Sequence, residues 1–470
     1  MRSNILRAAL LAAPVVLHAQ SSGSVTYPAT VTQLKILPLP GPRAASVTYA
    51  KDIAPIFQQK CQVCHQPNSI APMSLLTYED AKDVMDKIRE NVSERRMPPW
   101  HIDRTVGIQA FKNDRGLTDD QIAKIVNWVD AGAPLGNPSD LPPPVKFPDP
   151  SQWQLASTYG APDLIIRSQN FTVSAAGQDK WFRPVTDVNI AEPRWVRAIE
   201  IKPVHPMAKK VVHHVLATLL QQEEDGVTGL AHDAHDAQSN AGLFMEWAVG
   251  KTGQIFPSDA GKLLLPGSKI RWEIHTHSIG EEFKDEAVEL AVYFYPKGVV
   301  PAHRTVLRLF DVSRGSDLDI APFSRTMTQN FYVLQANARI ENFQPHMHMR
   351  GKAMSLEVVY PNGRKELISQ VNNFQWNWHV NYVYADSVAP LLPKGTMLVF
   401  TAWHDNTADN PNNPDPRQWV GWGDRTVDEM AHCWIDVTYI DQAEFDQMVA
   451  ARAAKQPRAT RAGAPPPKQP

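Results

Sequence analysis

Cys61-Gln62-Val63-Cys64-His65 is the segment that most narrows what this chain can become. Two cysteines at this spacing can each form a thioether to one porphyrin, and the histidine that follows is then held where its imidazole ligates the iron. The competing readings of the same residues are a stray Cys-X-X-Cys pair and half of a zinc site. The second axial ligand belongs on the other haem face, after a helix and a loop. Arg96-Met97-Pro98-Pro99-Trp100 offers Met97 in a stiff, proline-braced turn, with Met73 as its rival and His101 a weaker third; simple packing is the plain alternative for each methionine. A Met/His pair raises the reduction potential and leaves no open position for oxygen, which suits electron transfer.

The setting is helical over residues 46–135. Ile53, Ile56 and Phe57 give one apolar face, and Ala81, Val84, Met85, Ile88 and Val92 give a second. Thr118 with Gln121 three residues on opens a third helix carrying Ile122, Ile125, Val126 and Val129, which stops at Gly132 and Pro134. A small all-α cytochrome c-like unit is expected there, followed by a proline-rich linker over residues 136–152. Beyond it the pattern changes to short alternating runs: Ile270, Trp272 and Ile274, then Val288, Leu290, Val292 and Phe294. Two all-β, jelly-roll-like sandwiches follow as the expectation, over residues 153–309 and 310–445, with a disordered tail over 453–470.

At 470 residues the chain has room for about three folded units. Its 47 Lys and Arg nearly balance 49 Asp and Glu, so charge directs it neither to nucleic acid nor to an anionic membrane surface. Arg2 and Arg7 ahead of an apolar run from Ala8 to Leu17 read as a secretory signal over residues 1–19, too short to leave a membrane span in the mature protein. A periplasmic or secreted address agrees with covalent haem attachment. Three cysteines, two of them in the haem motif, exclude a disulfide framework, and Cys433 reads as a small buried hydrophobe.

Four features of the β region bear on metal binding: His213-His214, His275-Thr276-His277, His346-Met347-His348, and Met430 after Asp428-Glu429. Residues two apart on a strand face the same way, so His346 and His348 can reach one metal without distortion. Adjacent His213 and His214 point to opposite faces of a regular strand, so a shared ion demands a bulge or a strand end. Imidazole suits copper, zinc and iron, whereas a thioether favours Cu(I), so a His/His/Met set leans toward copper. Any one of these pairs alone is as well explained by an ordinary hydrogen-bonded histidine network.

Taken in order, Val212-His213-His214, Glu273-Ile274-His275, His346-Met347-His348-Met349-Arg350-Gly351-Lys352 and Asp428-Glu429-Met430 make residues 160–445 resemble the copper type II, ascorbate-dependent monooxygenases, such as peptidylglycine α-hydroxylating monooxygenase and dopamine β-hydroxylase. The resemblance implies two sandwiches, each with one copper, facing across a solvent-filled cleft. By position, His213, His214 and His275 match the ligands of the electron-transfer copper, and His346, His348 and Met430 those of the oxygen-activating, catalytic copper. His277 falls outside the matched pattern.

The chemistry so implied is reduction of both coppers, oxygen binding at the His/His/Met copper, hydrogen abstraction from a substrate C–H and return of a hydroxyl. Two electrons are needed per turnover, from an ascorbate-like reductant or a redox protein, and the haem motif makes a fused cytochrome the expected route. Peptide-amidating members carry Arg, Asn and Tyr where this chain has Gln344, His432 and Trp434, so binding of a peptide carboxylate is not implied. The substrate is an unidentified organic molecule, oxidised with O2. His404, ahead of a loop rich in Asn, Asp and Pro, reads as turn chemistry near the cleft. Two other classes fit less well: a haem and copper relay without hydroxylation, and a binding module that has lost chemistry.

Overall fold

The computed structural model describes residues 47–455 except 68, 148, 150, 223–240, 249, 250 and 252. The expected leader and residues 456–470 of the expected tail lie outside the described residues. Residues 453–455, read as tail, instead continue the helix Gln442–Lys455. The described chain is mostly β, with short helices concentrated before residue 135, and none of its helices is long and apolar enough to cross a membrane.

The early helices are Ala54–Lys60, Tyr78–Asp83, Met85–Ser93 and Asp119–Asp130. The second apolar face, expected as one helix, is broken at Val84, whose φ of −119° and ψ of 17° leave the helical region. The capping box is present: the Thr118 hydroxyl accepts from Gln121 N at 3.2 Å, and the Gln121 side chain accepts from Thr118 N at 3.0 Å. Together they satisfy two amides that the first helical turn leaves without partners. Ile53, Phe57, Ile88, Val92, Ile125 and Trp128 share one core.

Strand Lys269–Thr276 alternates as its sequence does, with Ile270, Trp272 and Ile274 buried and Lys269 and Arg271 exposed. Val288–Phe294 departs from simple alternation. It lies between Leu164–Arg167 and Arg194–Pro203, and only Glu289 escapes full burial. A first β core gathers Val196, Ile199, Val215, Trp272, Ile274 and Leu290. A second gathers Phe343, Ile435 and Val437 with Leu356, Val358 and Phe400, the last three from a four-stranded sheet ordered Arg325–Val333, Met397–Asp405, Gly351–Val359, Lys365–Val371.

The expected division at 309/310 falls inside one strand, His303–Ser313. Leu307 pairs with Leu243 on one side, and the strand runs antiparallel to Ala431–Ile440 on the other. One hydrogen-bonded sheet therefore passes from the first β unit into the second.

The helical unit is seated on the second β unit by the segment between its last two helices. Asp103 N bonds Gln370 O at 2.7 Å, Ile108 N bonds Ile368 O at 2.9 Å and Lys112 N bonds Val383 O at 2.8 Å. Trp100 packs edge-on against Tyr382, ring centres 4.8 Å apart, and joins the second β core. The turn bearing Met97 leads directly into this anchor.

Candidate metal centres

Adjacent His213 and His214 can serve one ion only if the strand is irregular, and strand Val212–Leu220 is. In its pairing with Lys269–Thr276, His275 faces His214 while Thr276 faces Val212, so His213 is the extra residue of a bulge. The bulge turns both rings the same way. His213 Nδ1 lies 3.1 Å from His214 Nδ1, and His275 Nδ1 lies 3.3 Å from the same atom. A single proton on His214 Nδ1 can serve only one of these contacts. Metal–imidazole bonds of about 2.0–2.1 Å put two nitrogens of one ion roughly 2.9–3.6 Å apart, so His214 Nδ1 stands at ligand spacing from His213 Nδ1 and from His275 Nδ1. On its far side His275 Nε2 meets the Asp179 carboxylate at 3.0 Å, and Trp181 stacks flat on the ring at 4.5 Å. A carboxylate behind a histidine fixes the tautomer that leaves the other nitrogen for a metal. His277 sits at the edge, its ring 6.3 Å from that of His213.

The second set stands where strand Asn342–Met347 ends against strand Ala431–Ile440, His346 opposite His432. The rings of His346 and His348 are 5.2 Å apart. His348 Nδ1 donates to Asp428 O at 3.2 Å, which leaves Nε2 for a ligand. Met430 is held through its backbone: its N–H reaches Glu429 at 3.3 Å, and His404 Nε2 donates to its carbonyl at 3.2 Å. Glu429 also accepts from the amides of His348 at 3.0 Å and Arg350 at 2.5 Å, so one buried carboxylate ties the His348 and Met430 segments together. His404 thus acts on the loop that carries Met430. His432 stacks on His346 at 4.6 Å, and Cys433 is fully buried in the second β core.

The cleft expected between the two sets is not there among the described residues. The rings of His214 and His346 are 6.4 Å apart, and a further histidine, His379, fills the gap. Its ring lies 5.3 Å from His213, 5.4 Å from His214 and 4.4 Å from His346. Ring nitrogens of His213, His214 and His379 all fall within 4.8 Å of one another. The physical reason is the shared sheet: a strand common to the two β units holds them too close for a cleft. Gln344 donates to buried Glu246 at 2.5 Å, and Glu246 also takes Lys251 at 3.1 Å.

Burial, and then the neighbouring histidines, hold these imidazoles below their ordinary pKa: His213 at about 2, His432 at about 3, with His214 and His346 also well down. His348 falls to about 4 by burial, which the Asp428 carbonyl only partly offsets. At neutral pH they are uncharged and able to ligate. His346 Nδ1 and His432 Nε2 are buried without a hydrogen-bond partner among the described residues, a costly state for polar atoms that a metal relieves.

Cys61, Cys64, His65, Met73 and Met97 all line one mainly apolar cavity of about 440 Å³, within the roughly 300–1,000 Å³ of cofactor pockets. His65 Nδ1 donates to Met73 O at 3.2 Å, so Nε2 is the nitrogen free for iron. These residues fit a covalently held haem. His101 lies outside this cavity, buried, its imidazole lowered to about 4 by burial alone.

Sequence reasoning missed His379, Asp179, Glu246 and Trp378. His379 carries no paired motif and no strand alternation; its one signal is its place in the aromatic run Phe374-Gln375-Trp376-Asn377-Trp378.

No family model matches this chain, and no curated protein matches it. Among solved structures, the major capsid protein P2 from bacteriophage PM2 is similar at 12% identity and a TM-score of 0.26, covering 59% of this chain and 97% of that one. PNGF-II is similar at 10% identity and a TM-score of 0.27, covering 59% of this chain and 66% of that one. Likenesses this distant carry no argument about the chain.

Proposed function

We propose that this chain is an exported copper-dependent monooxygenase that hydroxylates a C–H bond of a small organic or peptide-like substrate with O2, its electrons delivered through its own c-type haem. The observation that carries this reading is that His213 Nδ1 and His275 Nδ1 each stand at ligand distance from His214 Nδ1, 3.1 and 3.3 Å, with the His346 and His348 pair close by, the rings of His214 and His346 being 6.4 Å apart. In this reading residues 46–135 are a cytochrome c-like unit, with Cys61 and Cys64 as thioether donors and His65 and Met97 as axial ligands. His213, His214 and His275 hold the electron-transfer copper; His346, His348 and Met430 hold the catalytic one. Bound there, copper supplies one-electron chemistry and oxygen activation, and haem supplies the electrons.

The chain's own residues do the rest. Asp179 and the Asp428 carbonyl set the ring tautomers. Burial keeps the imidazoles free of protons, and Glu429 with His404 holds the loop of Met430. Gln344, which stands where peptide-amidating enzymes carry an arginine, is engaged by Glu246 and by Lys251. The external electron donor is an ascorbate-like reductant or a redox protein.

The test is metal content of the haem-loaded protein, then anaerobic reduction and an oxygen pulse, with haem absorbance and Cu(II) EPR followed together. Two coppers per haem, with reoxidation of both centres dependent on copper and coupled to product from a substrate screen, is expected. Zinc, or no metal, overturns the proposal; reoxidation with no hydroxylated product under any substrate points instead to an electron relay.

A further inference from the structure

The proposed function leaves open how an electron travels from the haem cavity to the histidine cluster, and one dipeptide lies on both. Trp378 lines the cavity that holds Cys61, Cys64, His65 and Met97. His379, next in sequence, sits inside the cluster, with a ring nitrogen within 4.8 Å of those of His213 and His214. Consecutive α-carbons are about 3.8 Å apart, so the two regions are separated by a single peptide unit.

We propose that Trp378-His379 is the electron conduit between haem and copper, and that His379 is a further ligand of the copper held by His213 and His214. This rests on the proposed function. Tunnelling falls steeply with distance and is fastest through covalent bonds, and here the bonded path runs from an indole at the haem wall to an imidazole at the metal. In the step, one electron leaves Fe(II), giving Fe(III), and reduces Cu(II) to Cu(I); no bond in the dipeptide is made or broken. The external reductant named above restores Fe(II).

Three observations fit His379 to this role. Its Nδ1 faces the buried Glu246 carboxylate at 3.7 Å, which leaves Nε2 for a ligand. Its ring touches members of the two ligand sets at once, His213 and His214 on one side and His346 on the other. Its segment is fixed on the haem side: Asn113 Nδ2 donates to Asn381 O at 2.7 Å, and Trp378 N bonds Gln375 O at 3.0 Å. The contacts that seat the helical unit therefore also set the length of the bridge.

The experiment uses the full chain loaded with haem and Cu(II). A photoreductant injects one electron into the haem, and haem reoxidation is followed by absorbance; Cu(II) EPR and copper content are read on the same samples. Trp378→Leu is expected to slow reoxidation at least tenfold while the EPR spectrum, copper content and haem spectrum stay as in the parent, and Trp378→Phe is expected to recover part of the rate. His379→Ala is expected to change the EPR parameters of one copper and to slow transfer as well. Parent-like rates in both Trp378 variants overturn the conduit, and an unchanged EPR spectrum in His379→Ala overturns its ligation, while the function proposal stands. A parent protein that binds no copper, or whose haem never passes its electron to copper, overturns this inference and the function together.

Discussion

Replacing Asp179 with Asn tests whether the His213, His214, His275 set is a metal site or a histidine network of another kind. Asp179 accepts from His275 Nε2 at 3.0 Å, and that bond keeps His275 Nδ1 unprotonated toward His214. The amide oxygen of Asn preserves the shape and removes the charge. Loss of such a partner costs about 10–100-fold in metal affinity. The Asp179 side chain keeps 36% of its surface in water, which screens its charge, so the lower end applies: about tenfold, or ~1.4 kcal/mol. At saturating metal the same energy leaves the folded state, worth a drop of about 2 °C in Tm for two β halves that melt together. The assay is a chelator-competition titration of the two coppers with melting curves of the apo and loaded proteins. One copper is expected to weaken about tenfold while the other and the apo Tm hold. Equal affinity at the two sites, or an apo Tm that falls as far as the loaded one, would refute the reasoning.

Trp100→Ala removes the aromatic anchor between the helical unit and the second β core, at a cost of about 3–5 kcal/mol; chemical denaturation measures it, and a loss below 1 kcal/mol would mean that the backbone bonds of residues 103–112 hold the seat alone. His101 is buried with its imidazole lowered from 6.5 to about 4. The unfolded chain therefore binds the extra proton first, and stability present above pH 6.5 is lost as pH falls toward 4, by about 3 kcal/mol in all. His101→Gln is expected to flatten that part of the pH profile, and an unchanged slope would count against it. Met97→Ala is expected to abolish the long-wavelength charge-transfer band of an iron–thioether bond, whereas Met73→Ala leaves it; the reverse result would exchange the two axial assignments.

Much of this arrangement was legible because short-range chemistry writes it locally. The capping box at Thr118, the alternation from Ile270 to Ile274 and the need for a bulge at His213-His214 follow from residue type and spacing. What escaped depends on contacts far apart in sequence. Nothing near Asp103 or Ile108 announces that their amides will bond Gln370 and Ile368. Asp179 lies 96 residues from His275, and a lone His379 has no second ligand nearby to give it meaning. The break at Val84 was invisible because an apolar face reads the same across a broken helix as along a whole one. The absent cleft shows the limit of positional resemblance, which assigns residues to sets without fixing the distance between the sets.

The strand His303–Ser313 has a thermodynamic corollary. Because it bonds Leu243 on one flank and the Ala431–Ile440 strand on the other, neither half can melt without stripping ladder hydrogen bonds from its neighbour. A calorimeter should therefore record the two β halves as one peak, and a lesion in either should lower the melting of the whole. Such a body has no hinge at that seam, so the two histidine sets keep a fixed separation and the halves do not swing apart.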